Sequence, residues 1–498
     1  MNQKLSWLLL STLLGGAVLT GCSEENPKPT NGEGDQNPTS KTPTELYYAN
    51  MFGKEAMSTY YYWNKEISSD LDNWNIETNN DPIGTVDRIR YHQGDKYIDK
   101  WSMLTDDMAS FNSSVEGVST TFGWNLTFYP VNKEKNQYVA VVNFVHEGTP
   151  AAKAEFKRGD IILSINDEKI TPDNYEDLYY KPTLKVSLGE LQEDIIVSRN
   201  KSIELTAVNM YENPIICDSV YEFNGKKVGY LAYTGFDLKS INPLIEIGKK
   251  FKAEGIEELV LDLRYNGGGY VITENVLASM FAPQEAVSSK KVFEKEIYNS
   301  YLSESYQKQG ESLETRFTTE FNYPEVEVNA STKDANIELK KIYGLIGSGS
   351  ASEALLGGLM PYTNVRLIGT QTHGKYCTGW MLSAEEMYEK CPQELKNWGI
   401  YVMVSIYQNA DGKTPCMPDG LIPDIQIEDD PIQAYQIGDV NEPLLKQALM
   451  EAGRSYETNG VGSRSAASPH FKALPPVKTP LFGKRIQLIP PFISSHSK

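Results

Sequence analysis

Two residues of this sequence have the types and setting for nucleophilic hydrolysis. They are Ser350, in Gly347-Ser-Gly-Ser-Ala-Ser-Glu353, and Lys375, at the end of Thr370-Gln-Thr-His-Gly-Lys375. A serine hydroxyl attacks a carbonyl when a neighbouring base takes its proton, and a lysine can be that base only while neutral. An unperturbed lysine, with a pKa of about 10.4, is protonated at neutral pH. Lowering that pKa by about 3 takes roughly 4 kcal/mol, which burial in an apolar environment supplies. Leu355, Leu356, Val365, Leu367 and Ile368 lie in the segments that would form such an environment. His373 is a rival base in the same loop, though a lone histidine is more often a polar loop residue.

The elements that must position this pair follow from apolar spacing. Residues 342–346 read as a buried strand, and Leu355, Leu356, Leu359 and Met360 recur at helical spacing, so the small residues between them form a strand-to-helix turn. A serine there sits at a helix N-terminus, where unpaired backbone N–H groups stabilise negative charge on a reacting oxygen. Ser350-Ala-Ser-Glu353 also has the S-x-x-E form of a capping box, a purely structural role. Residues 365–368 read as a further strand, leading to Lys375. Upstream, Leu259-Val-Leu261 is a short buried strand that runs into Arg264-Tyr-Asn-Gly-Gly-Gly269. Consecutive glycines let the backbone approach a ligand closely and present N–H groups to its carbonyl. Neither this loop nor Gly374-Lys375 has the phosphate-loop pattern, and Gly347-x-Gly349 lacks the third glycine of a dinucleotide fingerprint, which argues against a nucleotide cofactor.

Together, LDLRYNGGG, GSGSASE and IGTQTHGK resemble the C-terminal processing (tail-specific) peptidases, the S41 serine peptidases with a Ser-Lys dyad. The resemblance implies Ser350 as nucleophile, Lys375 as base, and an oxyanion hole from the backbone N–H of Ala351 and of Gly268 or Gly269. It implies no metal and no organic cofactor. It also implies an α/β multidomain fold: a helical N-terminal cap, a PDZ-like β-rich domain and an α/β (ClpP/crotonase-like) peptidase core. Two positions depart from the family pattern. Pro361 stands where some members have an aspartate, and Gly379 stands where many have a glutamine that orients the lysine. Thr378 or a residue from elsewhere in the chain would then take the orienting role.

Read in order, residues 1–21 form a signal peptide, a short positive start followed by an apolar stretch too short to span a bilayer. Leu19-Thr-Gly-Cys22 resembles a bacterial lipobox, which implies cleavage before Cys22 and its acylation. Ser23-Glu-Glu25 resembles the acidic segment that sends some Bacteroidetes lipoproteins to the cell surface. The expected place is the cell envelope, at the outer membrane, on its periplasmic or surface face. Residues 22–44 are a polar, proline-containing tether. Residues 45–110 form a helical domain in which the aromatics, among them Tyr60 and Trp63, are packing residues. Residues 111–210 resemble a PDZ domain, in which Phe122, Gly123 and Trp124 would form the carboxylate-binding loop; peptide addition there needs an open sheet edge, and the alternative is a PDZ domain that only packs on the core. Residues 211–456 are the peptidase core, with a polar insertion at 284–340 that shapes the cleft. Residues 457–498, basic and proline-containing, read as an extended tail whose sequence carries no chemistry.

The 498 residues carry 47 basic and 66 acidic side chains, a formal charge of −19, which disfavours nucleic acid as a partner. The expected partners are protein or peptide substrates and the membrane that holds the anchor. With Cys22 assigned to lipid, Cys217, Cys377, Cys391 and Cys416 remain, open to three disulfide pairings or to burial as thiols, and their spacing fits no zinc site. Two other classes compete with an endopeptidase: a non-catalytic binder of peptides or apolar ligands on the same fold, and a PDZ scaffold.

Overall fold

The structure is a computed structural model that describes residues 42–456, apart from 133, 193, 194 and 348, together with 473–475 and 483–494. The leader, Cys22 and most of the tether lie outside the described residues.

The first helix, α1 (Pro43–Thr59), starts where the Thr42 side chain accepts the Glu45 N–H and Pro43 pre-sets the backbone. It is followed by α2 (Pro82–Ile89), capped by Asp81, then β1 (Met103–Thr105) and α3 (Met108–Val115), capped by Asp107. The aromatics of this region, including Tyr61, Trp63 and Trp74, are buried in the same hydrophobic core as the later α/β unit. They are packing residues.

A second unit contains β2 (Trp124–Pro130), β3 (Tyr138–Val145), β4 (Ile161–Ile165), α4 (Asp177–Tyr180), β5 (Thr183–Gln192) and β6 (Ile195–Thr206). The strands pair antiparallel in the order β6-β5-β4-β3-β2 and enclose their own core around Trp124, Phe128 and Val142.

The third unit runs through β7 (Ile215–Phe223), β8 (Lys226–Tyr233), α5 (Ile241–Ala253), β9 (Glu258–Asp262), β10 (Gly268–Tyr270), α6 (Val271–Phe281), β11 (Val292–Tyr298) and β12 (Glu314–Arg316). It continues through β13 (Lys341–Ile346), α7 (Ala351–Leu359), β14 (Asn364–Gly369), β15 (Cys377–Ser383), β16 (Gly399–Asn409), β17 (Ile425–Gln426), α8 (Pro443–Glu451) and β18 (Lys484–Ile486). Its first sheet has the order β7-β8-β9-β13-β14-β17 and is parallel from β8 onward. That is the arrangement helix crossovers produce. The second sheet has the order β10-β18-β15-β16-β11-β12, with β1 added to β16. α6 and α7 lie in the core between these layers, and every residue of both is buried. On α7, a side-chain atom on Gly358 would come within 2.3 Å of the Phe293 ring, so the helix sits directly on β11.

Two sequence expectations change here. The polar stretch 284–340 contributes β11 to the second sheet, with Glu294 and Glu296 on the same, inward face. Part of the basic tail belongs to the fold. Its residues 484–486 form β18, parallel to β10, with Lys484, Arg485 and Ile486 all buried. This segment has little apolar periodicity because what holds Arg485 is polar: carboxylates and a hydroxyl contributed by a distant helix and distant strands.

Candidate active site

Ser350 stands between β13 and α7 with φ at +72°, a backbone region that costs a residue with a Cβ about 1–3 kcal/mol and is tolerated where the surroundings enforce it. The enforcement is Glu353. Its carboxylate accepts the Ser350 N–H (2.7 Å), the Gly374 N–H (2.7 Å), the Lys375 N–H (2.9 Å) and the Thr372 hydroxyl. One buried side chain thus joins the serine turn to the lysine loop. Burial raises the Glu353 carboxyl above its usual range, and these hydrogen bonds oppose the rise.

Lys375 is completely buried, whereas His373 is exposed. The Lys375 Nζ donates to Tyr401 OH (2.8 Å) and to the Gly483 carbonyl, with the Trp101 and Tyr401 ring centroids 5.3 and 4.9 Å away. Burial depresses its pKa to about 7; the nearby Arg485 charge adds to the effect, while Cys377, Asp99 and Glu353 oppose it. Loss of hydration therefore supplies a neutral amine near neutral pH.

The glycine loop closes the other side. Gly268 has φ +100°, and a Cβ there would lie 2.0 Å from the Lys484 carbonyl oxygen and 2.7 Å from Ser350 Oγ, so only glycine fits. Its own N–H donates to Asn266 Oδ1 (2.8 Å). Arg264, at the loop's base, is held by Asp262, Asp429 and Glu442, and Asp429 also binds Arg158 of the second unit. β18 lies between this loop and β15. Ser350 Oγ donates to Lys484 O (2.5 Å), so the serine and lysine side chains hold the consecutive carbonyls of Gly483 and Lys484, where a turn leads into β18.

The sequence profile of peptidase family S41 matches residues 227–427, which contain the serine turn, the lysine loop and the glycine loop. Residues 227–427 form a peptidase family S41 domain. The PDZ domain profile matches residues 141–180, within the second unit. A Staphylococcus aureus (strain N315) relative named for its likeness to CtpA serine proteases is 24% identical over 281 residues, 55% of this chain and 48% of the relative. A carboxyl-terminal-processing protease of Picosynechococcus is 24% identical over 312 residues, 61% of this chain and 64% of the relative. This chain thus spans about half to two thirds of the length of these relatives. A Bacteroides fragilis crystal structure assigned by name to the S41 proteases superposes with a TM-score of 0.61 at 23% identity, covering 81% of this chain and 98% of the other, a likeness of fold.

In the S41 domain the position of Gly379 is explained by Tyr401. A Cβ on residue 379 would stand 2.5 Å from Tyr401 Cε2 and from Met403 Cε, so the tyrosine fills the space a longer side chain would need. Thr378 instead donates its hydroxyl to Glu296 (2.9 Å), away from Lys375. Tyr401 left no signal in the sequence, because it lies on β16 and reaches the lysine across the β15–β16 pairing.

Phe122 and Trp124 are buried in the PDZ-domain core, and Gly123 gives its N–H to Thr121 Oγ1 (2.8 Å). Its carbonyl accepts from the His146 N–H (2.7 Å), and the Trp124 indole donates to Leu178 O (2.9 Å). These residues are engaged within their own domain. At the edge of β2, however, the Leu474 N–H donates to Phe128 O (2.8 Å), which places another piece of the tail there. Cys217, Cys377, Cys391 and Cys416 are all free thiols, with Cys377 and Cys416 buried, so none of the three possible pairings forms.

Proposed function

We propose that this chain is a serine endopeptidase that cuts extended polypeptide segments through a Ser350–Lys375 dyad. The observation that carries the reading is the grip of both side chains on adjacent carbonyls, Lys484 at the start of the strand laid between β10 and β15 and Gly483 in the turn just before it. Ser350 Oγ adds to the carbonyl carbon while neutral Lys375 takes its proton. Since the Gly268 N–H is spent on Asn266, the Ala351 and Gly269 N–H groups are the oxyanion donors in this reading. Lys375 then passes the proton to the departing amine nitrogen as the C–N bond breaks. Water, deprotonated by the same lysine, hydrolyses the acyl ester and restores the serine.

Its substrates are unfolded proteins or peptides, because only an extended chain can enter as a strand between two others. Export and acylation at Cys22 would place this activity at the cell envelope, and metabolic labelling with a fatty acid, lost in Cys22→Ala, tests that anchor. The activity itself is tested with purified protein and casein. Cleavage is expected from the wild type and from His373→Ala, and not from Ser350→Ala or Lys375→Ala. Absence of cleavage by the wild type would instead favour the non-catalytic binder.

A further inference from the structure

Arg485 follows the carbonyl held by Ser350, and its side chain is completely buried in a pocket of acids. Glu274 comes from α6, Glu294 and Glu296 from β11 and Thr378 from β15, all buried. The guanidinium Nε donates to Glu274 Oε2 (2.9 Å). Nη1 donates to Glu296 Oε1 (2.8 Å) and Thr378 Oγ1, and Nη2 to Glu274 Oε1 (3.2 Å) and Glu294 Oε2. All five guanidinium donors are thereby matched, and the Tyr407 ring lies over the group at 4.4 Å. An ammonium, with three donors at one point, cannot span the same acceptors.

Three carboxyls buried together without a cation would be strongly unfavourable, and among the described residues the cation they share is Arg485. Burial already pushes Glu294 well above the usual carboxyl range and raises Glu274. The walls belong to the S41 domain, but the occupant arrives on a short strand from the tail. The backbone of that strand is held as a visiting peptide would be. Arg485 N–H donates to Tyr401 OH (3.0 Å), Tyr401 OH donates to Arg485 O (2.9 Å), and the same hydroxyl accepts from Lys375. Earlier in the tail, the Leu474 N–H makes one hydrogen bond to Phe128 O on the edge of β2.

We propose, resting on the reading of Ser350 as nucleophile, that the pocket of Glu274, Glu294, Glu296 and Thr378 is a substrate subsite for the arginine that directly follows the attacked carbonyl. The chain's own Arg485 occupies it as a substrate residue does. The preferred substrates are therefore extended basic segments cut on the amino side of arginine.

The test uses the full chain carrying Ser350→Ala and Arg485→Ala, with labelled peptides read by fluorescence anisotropy. One peptide has the sequence of residues 482–488; two others carry lysine or the neutral analogue citrulline in place of its arginine. The arginine peptide is expected to bind roughly 10- to 100-fold tighter, the size of a lost set of charge-assisted hydrogen bonds. Equal affinities overturn the subsite. Should that variant fail to fold by circular dichroism, Ser350→Ala with Arg485→Lys takes its place, and the same order of affinities is required. In parallel, casein fragments from the wild type are sequenced by mass spectrometry, with arginine expected first after the cut. Cuts without that preference overturn the subsite and leave the peptidase reading intact. Uncut casein with arginine-selective peptide binding overturns the peptidase reading and leaves a guanidinium-binding pocket.

Discussion

Tyr401 OH accepts a hydrogen bond from Lys375 Nζ at 2.8 Å, while its ring fills the space that a side chain at position 379 would enter. In the proposed mechanism the tyrosine orients the base from a neighbouring strand. Tyr401→Phe keeps the ring and removes the bond, so kcat is expected to fall about 10- to 100-fold with KM much less affected. Steady-state kinetics on a peptide substrate measures the split. Loss confined to KM would show that the hydroxyl serves only to hold the peptide backbone.

The depressed pKa of Lys375, about 7, fixes the sign of the pH dependence. Below that pH the amine is protonated and cannot take the serine proton, so kcat/KM should fall about tenfold per pH unit on the acid side. It should reach a plateau above about pH 8, well before an ordinary lysine would titrate. The same buried amine makes folding stability rise between about pH 7 and 10, because over that range the unfolded chain binds the extra proton. A pH–rate profile with its midpoint near 10 would contradict the role given to burial.

Glu353 joins the two halves of the site through its contacts to Ser350, Thr372, Gly374 and Lys375. Glu353→Ala leaves three buried N–H groups and a hydroxyl without this acceptor. A loss of about 3 kcal/mol or more is expected in urea unfolding, together with loss of activity. Unchanged stability would mean that water replaces the carboxylate.

Gly268→Ala tests the approach of substrate to the glycine loop. The added methyl would collide with the Lys484 carbonyl, which stands where the attacked carbonyl would lie, and with Ser350 Oγ. Activity is expected to drop at least about 100-fold, the scale of a damaged oxyanion site. The backbone at φ +100° adds strain of about 1–3 kcal/mol to that collision, so circular dichroism is recorded beside the activity to confirm that the variant is folded.

The strand-to-helix turn at Ser350, the buried strands before it and after it, and the glycine loop were legible because each is local. Apolar spacing separates β13 from α7, and small residues mark the turn between them. The Ser350–Glu353 pair was legible as a cap, which it is, but its reach to Gly374 and Lys375 was not. That reach depends on β14 returning the chain beside β13.

By itself, then, the sequence determined the strand-to-helix turn at Ser350, the lysine loop and the order of the three units, since residue type and near-neighbour periodicity carry that information. The tertiary structure alone decided which residue orients Lys375, where the tail goes and what surrounds Arg485. Lys484 and Arg485 look like solvated residues in a polar tail, and in isolation they would be. Arg485 is buried because Glu274, Glu294 and Glu296, from two distant elements, meet at one point and supply the charge and hydrogen bonds that water would otherwise give, while the Lys484 ammonium lies against the Phe111 and Tyr401 rings. That compensation is long-range and electrostatic, so it leaves no period in the sequence.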